Sequence, residues 1–154
     1  MKYIVFDIDG TIADCSHRLP HILQKPKDWD AFFHDDRIAE DIPIDAFLQI
    51  ARLVRHGSHE DRSYQVVFVT ARPERTRAAT LSWLRKHLDW FVRDDELIMR
   101  PDGVREDDTT LKISTAEKVL GLENILCVFE DRARVVKAWR EAGVMCAQVD
   151  SGEF

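Results

Sequence analysis

Lys2-Tyr3-Ile4-Val5-Phe6-Asp7-Ile8-Asp9-Gly10-Thr11 is the stretch on which the fold is decided. Lys2–Asp7 is a short β-rich run that closes on an acid and then a glycine, the pattern of a buried strand meeting a tight turn. A second such run, Gln65-Val66-Val67-Phe68-Val69-Thr70, leads through Ala71-Arg72-Pro73 into a helical stretch from Glu74 to His87, with Pro73 placed in its first turn. A third strong strand is expected at Ile125–Phe129, and a weaker one at Leu97–Met99. Leu111–Leu120 and Arg132–Ala142 read as helices, Gly143 caps the second, and Val144–Val149 is the last strand before a polar tail, Asp150–Phe154. Strands alternating with helices at this spacing predict an α/β fold in three layers, a parallel central sheet covered on both faces.

The alternation breaks between Thr11 and Pro43, where Pro20, Pro26 and a short helix expected at Asp28–Asp35 point to an insertion after strand one. Residues 12–43 read as a small cap over the sheet edge. Its Trp29, Phe32 and Phe33 either pack on the core or flank a base, and their helical spacing favours packing. His56–Ser63 reads as a polar connection and Arg93–Asp108 as a charged one, neither long enough to separate domains. There is no internal repeat, so residues 1–154 are expected to form a single domain.

Composition narrows the class. The 154 residues are 45% hydrophobic and 32% charged, which suits one globular core and not a disordered tail. The longest apolar run, Ile125–Phe129, is far short of the roughly 20 residues of a membrane helix, and the first residues lack the order of a signal peptide, so a cytoplasmic protein is expected. Cys15, Cys127 and Cys146 are odd in number and widely spaced, as reduced thiols are. A net charge of −6 argues against a broad duplex-binding surface, yet 15 of the 22 basic residues are arginine, whose planar fork suits phosphate oxygens.

In an open parallel sheet the active crevice lies beyond the carboxyl ends of the strands. Three such ends carry chemistry: Asp7-Ile8-Asp9-Gly10-Thr11, Thr70-Ala71-Arg72 and Glu130-Asp131, with Lys112 opening the intervening helix. Phosphoryl transfer to a carboxylate explains the set. A carboxylate about 4 Å from a phosphate dianion is opposed by roughly 8 kcal/mol at an effective dielectric of 20, so a cation must stand between them. Oxygen ligands, Asp7 and Asp131 with a backbone carbonyl, suit magnesium, and Lys112 supplies a second positive charge. Thr70 and the amide of Ala71 are placed to hold a phosphoryl oxygen, and Asp9 to serve the leaving group as general acid and then water as general base. A calcium loop does not fit: glycine stands at its fourth position and Arg18 at its twelfth.

Asp7-Ile8-Asp9-Gly10-Thr11, Thr70, Lys112 and Glu130-Asp131 resemble the four ordered motifs of the haloacid dehalogenase superfamily of phosphohydrolases, over residues 4 to 131. The resemblance implies a Rossmann-like fold, Asp7 as the nucleophile that forms an aspartyl-phosphate, Asp9 as acid and base, and magnesium held by Asp7, the Asp9 carbonyl and Asp131. The fourth motif commonly reads as two aspartates, and Glu130 departs from it. A narrower resemblance, to the phosphatase half of phage-type polynucleotide kinase 3′-phosphatases, rests on Arg18 and Pro20, Thr70-Ala71-Arg72, Arg100, Asp108, Lys112 and Glu130-Asp131-Arg132, and is extended by Val135-Val136, Trp139-Arg140, Gly143-Val144, Gln148-Val149 and Ser151-Gly152-Glu153-Phe154. It implies removal of a phosphate from a DNA or RNA 3′ end, with Arg18 and Arg72 as substrate contacts; a surface ion pair is the other reading of each arginine. These relatives often carry a kinase, but no GxxxxGK[ST] stretch occurs in the 154 residues, so a kinase or ligase is expected as a separate partner. Two alternatives stay open: a nucleotidase for small phosphate esters, and a receiver-like signalling module, although receivers keep their acidic pair on the first strand and the acceptor on a later one.

Overall fold

The computed structural model describes residues 1–57 and 63–152. Most of the connection expected at His56–Ser63 and the end of the polar tail lie outside the described residues. In chain order the elements are β1 (Lys2–Phe6), β2 (Ala13–Asp14), α1 (Pro20–Leu23), α2 (Trp29–Phe32), α3 (Asp35–Ala39), β3 (Ile42–Pro43), α4 (Asp45–Gly57) and β4 (Tyr64–Pro73). There follow α5 (Arg77–His87), β5 (Leu97–Arg100), α6 (Asp108–Leu120), β6 (Ile125–Glu130), α7 (Ala133–Glu141) and β7 (Cys146–Gln148).

Five strands form one parallel sheet in the order β5-β4-β1-β6-β7. Side chains alternate across a strand, so neighbours on β1 and β4 enter different cores. Phe6, Val66 and Phe68 face Leu48, Leu84 and Leu88, under α4 and α5. Val5, Val67 and Val69 face Ala116, Val136 and Trp139, under α6 and α7. Burial on both faces is why these strands read as continuous apolar runs, each such side chain contributing about 1.5–3 kcal/mol. From β1 the chain steps outward to β4 and β5 and then returns to the other side of β1 for β6 and β7. The order therefore reverses between β1 and β6, where such sheets open their crevice.

Several elements differ from the sequence expectations. The helix expected at Asp28–Asp35 is two helices. Asp28 caps α2 by accepting from Ala31 N, the helix ends at Phe32, and the His34 ring starts α3 by accepting from Asp36 N. Pro73 ends β4 instead of opening a helix: its backbone is extended, φ −70° and ψ 149°, and it pairs with Arg100. A 3-10 turn, Glu74–Thr76, then leads into α5. α4, which the strand-and-helix reading omitted, buries Leu48 and Ala51 and lays Phe47, Ile50 and Val54 against the same core. α6 starts earlier than expected because Asp107 caps it by accepting from Thr109 N, so Lys112 lies in its second turn. β7 is shorter than Val144–Val149, since Val144 N is spent on the carbonyl of Trp139 at the end of α7. Among the described residues no helix is long and apolar enough to cross a membrane, and the three cysteines are free.

Candidate active site

The end of β1 is held open by a glycine. After Asp7 the chain turns so that Ile12 N donates to Ile8 O at 3.0 Å and Gly10 N to Ala13 O at 2.8 Å. Gly10 sits at φ +85°, a conformation that L side chains rarely adopt, and a Cβ there would run into the carboxylate of Asp131. The missing side chain lets the first-strand loop and the end of β6 approach each other.

At that approach stand Asp7, Glu130 and Asp131, all buried, each with a carboxylate oxygen within 4.8 Å of the others. Lys112 reaches in from α6. Its Nζ donates to Asp7 Oδ1 and to Glu130 Oε2, both at 2.7 Å. Burial would lower the pKa of this lysine, but Asp7 and Glu130 hold it protonated. One ammonium does not balance three buried carboxylates. Burial first, and then Glu130, push Asp7 up to about 7. Burial and then Asp7 push Asp131 up to about 8. Asp131 Oδ1 is buried without any hydrogen-bond partner. Unpaired buried charge of this kind is costly, and a hard divalent cation relieves it. Oxygen donors, surplus negative charge and an orphaned carboxylate oxygen together fit magnesium, with Asp7 and Asp131 as side-chain ligands. Glu130 is tied to Lys112, and its Oε1 accepts from Arg132 N at 3.3 Å.

Asp9 has different company. Arg18 Nη2 donates to its Oδ1 at 2.6 Å, and Arg72 donates through Nη2 at 2.6 Å and Nε at 3.1 Å. Burial acts to raise the Asp9 pKa, yet the guanidinium groups of Arg72 and Arg18 outweigh it and hold the carboxyl well below the usual carboxylate range. Both arginine side chains are 0% exposed, so each makes a buried ion pair and not a surface one, and neither faces solvent as the expected substrate contact would. Their remaining donors are also engaged, Arg18 Nε by Asp41 and Nη1 by Phe32 O, Arg72 Nη1 by Thr80. Asp41, beside β3, accepts from both arginines and from His17, and its main-chain carbonyl accepts from Trp83 Nε1 at 2.9 Å. No sequence signal marked Asp41, because its role exists only once two arginines from separate elements meet it.

Thr70 ends the apolar part of β4, buried, with its Oγ1 accepting from Arg72 N at 3.2 Å. Its hydroxyl proton is thereby left to donate elsewhere. The carbonyl of the neighbouring Ala71 is held by Arg100 Nε at 3.1 Å. Arg100 Nη2 also binds Asp108, which accepts from Arg132 Nη1 at 2.5 Å, so the starts of α6 and α7 are tied to the end of β5. The structure thus gathers Asp7, Asp9, Thr70, Lys112, Glu130 and Asp131 at one sheet edge, with Arg18 and Arg72 directed at Asp9.

A family model described as the polynucleotide kinase PNKP phosphatase domain matches residues 1–154. A protein of Autographa californica nuclear polyhedrosis virus, assigned as a bifunctional polynucleotide kinase/RNA ligase, is 26% identical over 141 residues, covering 91% of the chain and 18% of the viral protein. A chain of the Pnkp1/Rnl/Hen1 complex superposes with a TM-score of 0.76 at 21% identity, over 99% of this chain and 46% of that one. The class C acid phosphatase of Bacillus anthracis, with tungstate bound, superposes with a TM-score of 0.63 at 14% identity, over 99% of this chain and 68% of that one. The chain therefore spans less than half of the viral protein and of the Pnkp1 complex chain.

Proposed function

The chain belongs to the family of the polynucleotide kinase PNKP phosphatase domain and is a phosphatase of the haloacid dehalogenase type, and from that premise we propose that it removes the 3′-phosphate from polynucleotide ends through an aspartyl-phosphate on Asp7. The observation that carries this reading is the position of Asp7, at the reversal of strand order, with Lys112 Nζ at 2.7 Å and Asp131 beside it.

Asp7, Asp131 and the main-chain carbonyl of Asp9 would hold magnesium, whose charge offsets the repulsion between carboxylate and phosphate. In the first step a carboxylate oxygen of Asp7 attacks phosphorus, the bond from phosphorus to the 3′-oxygen breaks, and Asp9 gives that oxygen its proton. In the second, Asp9 takes a proton from water, the resulting hydroxide attacks phosphorus, and Asp7 is released with inorganic phosphate. The arginines favour ionised Asp9, the form the second step needs. For the first step their grip must loosen as the leaving oxygen arrives. Lys112 and the Thr70 hydroxyl face the charge that builds on the transferred phosphoryl group, together with the Ala71 amide.

We read residues 12–43 as a small cap that leaves the mouth open to a strand end. The domain would work together with a kinase or ligase in end repair, in a reducing cytoplasm that suits three free thiols. Its relatives' names support this setting. The deciding assay compares 3′-phosphorylated oligonucleotides, 5′-phosphorylated oligonucleotides and mononucleotides, with magnesium and with chelator. Preference for 3′-phosphorylated strands, lost on chelation, is expected. A large preference for mononucleotides would make the protein a nucleotidase instead, and undiminished turnover in chelator would remove the metal.

A further inference from the structure

Residues 24–30, between α1 and α2, line a cavity of about 490 Å³ that contains none of the residues placed in the reaction above. Its charges are unevenly used. Asp28 accepts from Ala31 N at 2.8 Å, and Asp30 binds Arg75 at 3.0 Å. Among the described residues no carboxylate stands within ion-pair distance of Lys25 or Lys27. Two ammonium groups without a carboxylate partner therefore line the same cavity, beside Asp28 and Asp30, on a chain whose net charge is −6.

Between them and the core stands an aromatic cluster whose members are buried to different degrees. Phe32 is 3% exposed and Trp29 is 44% exposed. Phe33 stacks along Trp29 at 6.0 Å and 15°, Phe32 meets it edge-on at 5.9 Å and 87°, and Lys27 Nζ lies 5.4 Å from its ring centroid. Packing accounts for Phe32 and for the bracing of Trp29, and it leaves 44% of Trp29 within reach of solvent. A braced, half-exposed ring whose neighbouring lysines have no carboxylate partner is the arrangement that stacks nucleobases while holding phosphates.

The cavity is also joined to the reaction site. Arg18, which donates to Asp9 at 2.6 Å, donates to Phe32 O at 2.9 Å, and Trp29 opens the helix that Phe32 closes, one turn of about 5 Å away. The Asp30–Arg75 pair fastens the same helix to the chain that leaves β4 beyond Arg72. We propose that Trp29, with Lys25 and Lys27, forms a stacking subsite for a base of the single-stranded nucleic acid whose 3′ end enters the site, an inference that rests on the polynucleotide reading above.

The test is binding without turnover. Fluorescence anisotropy of a labelled single-stranded oligonucleotide ending in a 3′-hydroxyl is measured with the full chain, beside a strand of the same length made of abasic sugars. Trp29→Ala is expected to weaken the base-bearing strand by roughly 5- to 150-fold and to leave the abasic strand unaffected, while Trp29→Phe keeps most of the affinity. Lys25→Ala with Lys27→Ala is expected to flatten the dependence of log affinity on log salt by about 0.7 for each phosphate that the two lysines neutralise. Equal weakening of both strands by Trp29→Ala would mean a structural role. No weakening, no measurable binding by the unaltered chain, or tighter binding of an acidic peptide than of the strand would each overturn the subsite. The 3′-phosphate assay is separate, so a chain that binds strands through Trp29 yet prefers mononucleotides would refute the proposed substrate and leave the subsite standing.

Discussion

Asp9 and Asp41 share the same two guanidinium nitrogens: Arg18 Nη2 lies 2.6 Å from Asp9 and 2.8 Å from Asp41, and Arg72 Nη2 lies 2.6 Å from Asp9 and 2.7 Å from Asp41. Two cations and two anions balance in a site where Asp41 and both arginines are buried. Asp41→Asn leaves the arginines with one carboxylate between them. Breaking a buried pair in this way costs about 3–5 kcal/mol, so the urea midpoint should fall. Both guanidinium groups would then lean on Asp9 alone, holding it ionised with no proton to give, and turnover should fall with it. An unchanged midpoint together with unchanged turnover would contradict the balance described.

Asp7→Asn keeps the shape of the side chain and removes the proposed nucleophile. Turnover of any phosphate ester should drop by roughly 10⁴-fold or more. The far-ultraviolet circular dichroism should be unchanged, because β1 is held by its two neighbours and not by the Asp7 carboxylate. Retained turnover would place the nucleophile elsewhere.

Gly10→Ala should harm the site more than the fold. The φ of +85° costs an alanine about 1–2 kcal/mol, and the new methyl group displaces the Asp131 carboxylate. We expect the magnesium concentration for half-maximal activity to rise by at least about tenfold, beside a modest fall in thermal midpoint. A fall in midpoint with no change in magnesium dependence would disconnect Gly10 from the metal ligands.

Stability should depend on pH with opposite signs in two windows. An unfolded chain releases the protons of Asp7 and Asp131 near pH 4, whereas the folded chain holds them to about 7 and about 8. Between those limits the folded state binds more protons, so the metal-free protein loses stability as pH rises. Asp9 acts the other way, since its folded pKa is depressed, and its contribution is lost only as pH falls below about 4. At the proposed metal site magnesium would replace the protons that Asp7 and Asp131 give up. The gain in thermal midpoint on exchanging chelator for magnesium should therefore grow from pH 5 to pH 8. A gain that stays constant over that range would exclude these carboxylates as ligands.

What the sequence disclosed follows from where each residue stands. Asp7, Thr70 and Glu130 each follow directly on a run buried on both faces, and such runs are the clearest periodic signal a chain offers. Lys112 was legible through its place between the β4 and β6 motifs. The inner structure of residues 12–43 was not, since Asp28 and the His34 ring divide it into short helices by local hydrogen bonds that leave no periodicity. Arg18 and Arg72 could be singled out by resemblance, but not their targets. Whether a guanidinium meets solvent, substrate or a buried acid depends on which distant segment folds over it, and here that segment brings Asp41. Pro73 misled because the ring that suits a first helical turn suits the end of a strand equally well.

Asp41 has one more bearing, on modularity. Since the counterweight to Asp9 is delivered by the segment between β2 and β3 and not by the five-stranded sheet, the two parts cannot be traded independently. A chimera that grafts a foreign segment between Ile12 and Pro43 removes Arg18 together with Asp41 and must import an equivalent of both, or Arg72 will be left as the sole partner of Asp9.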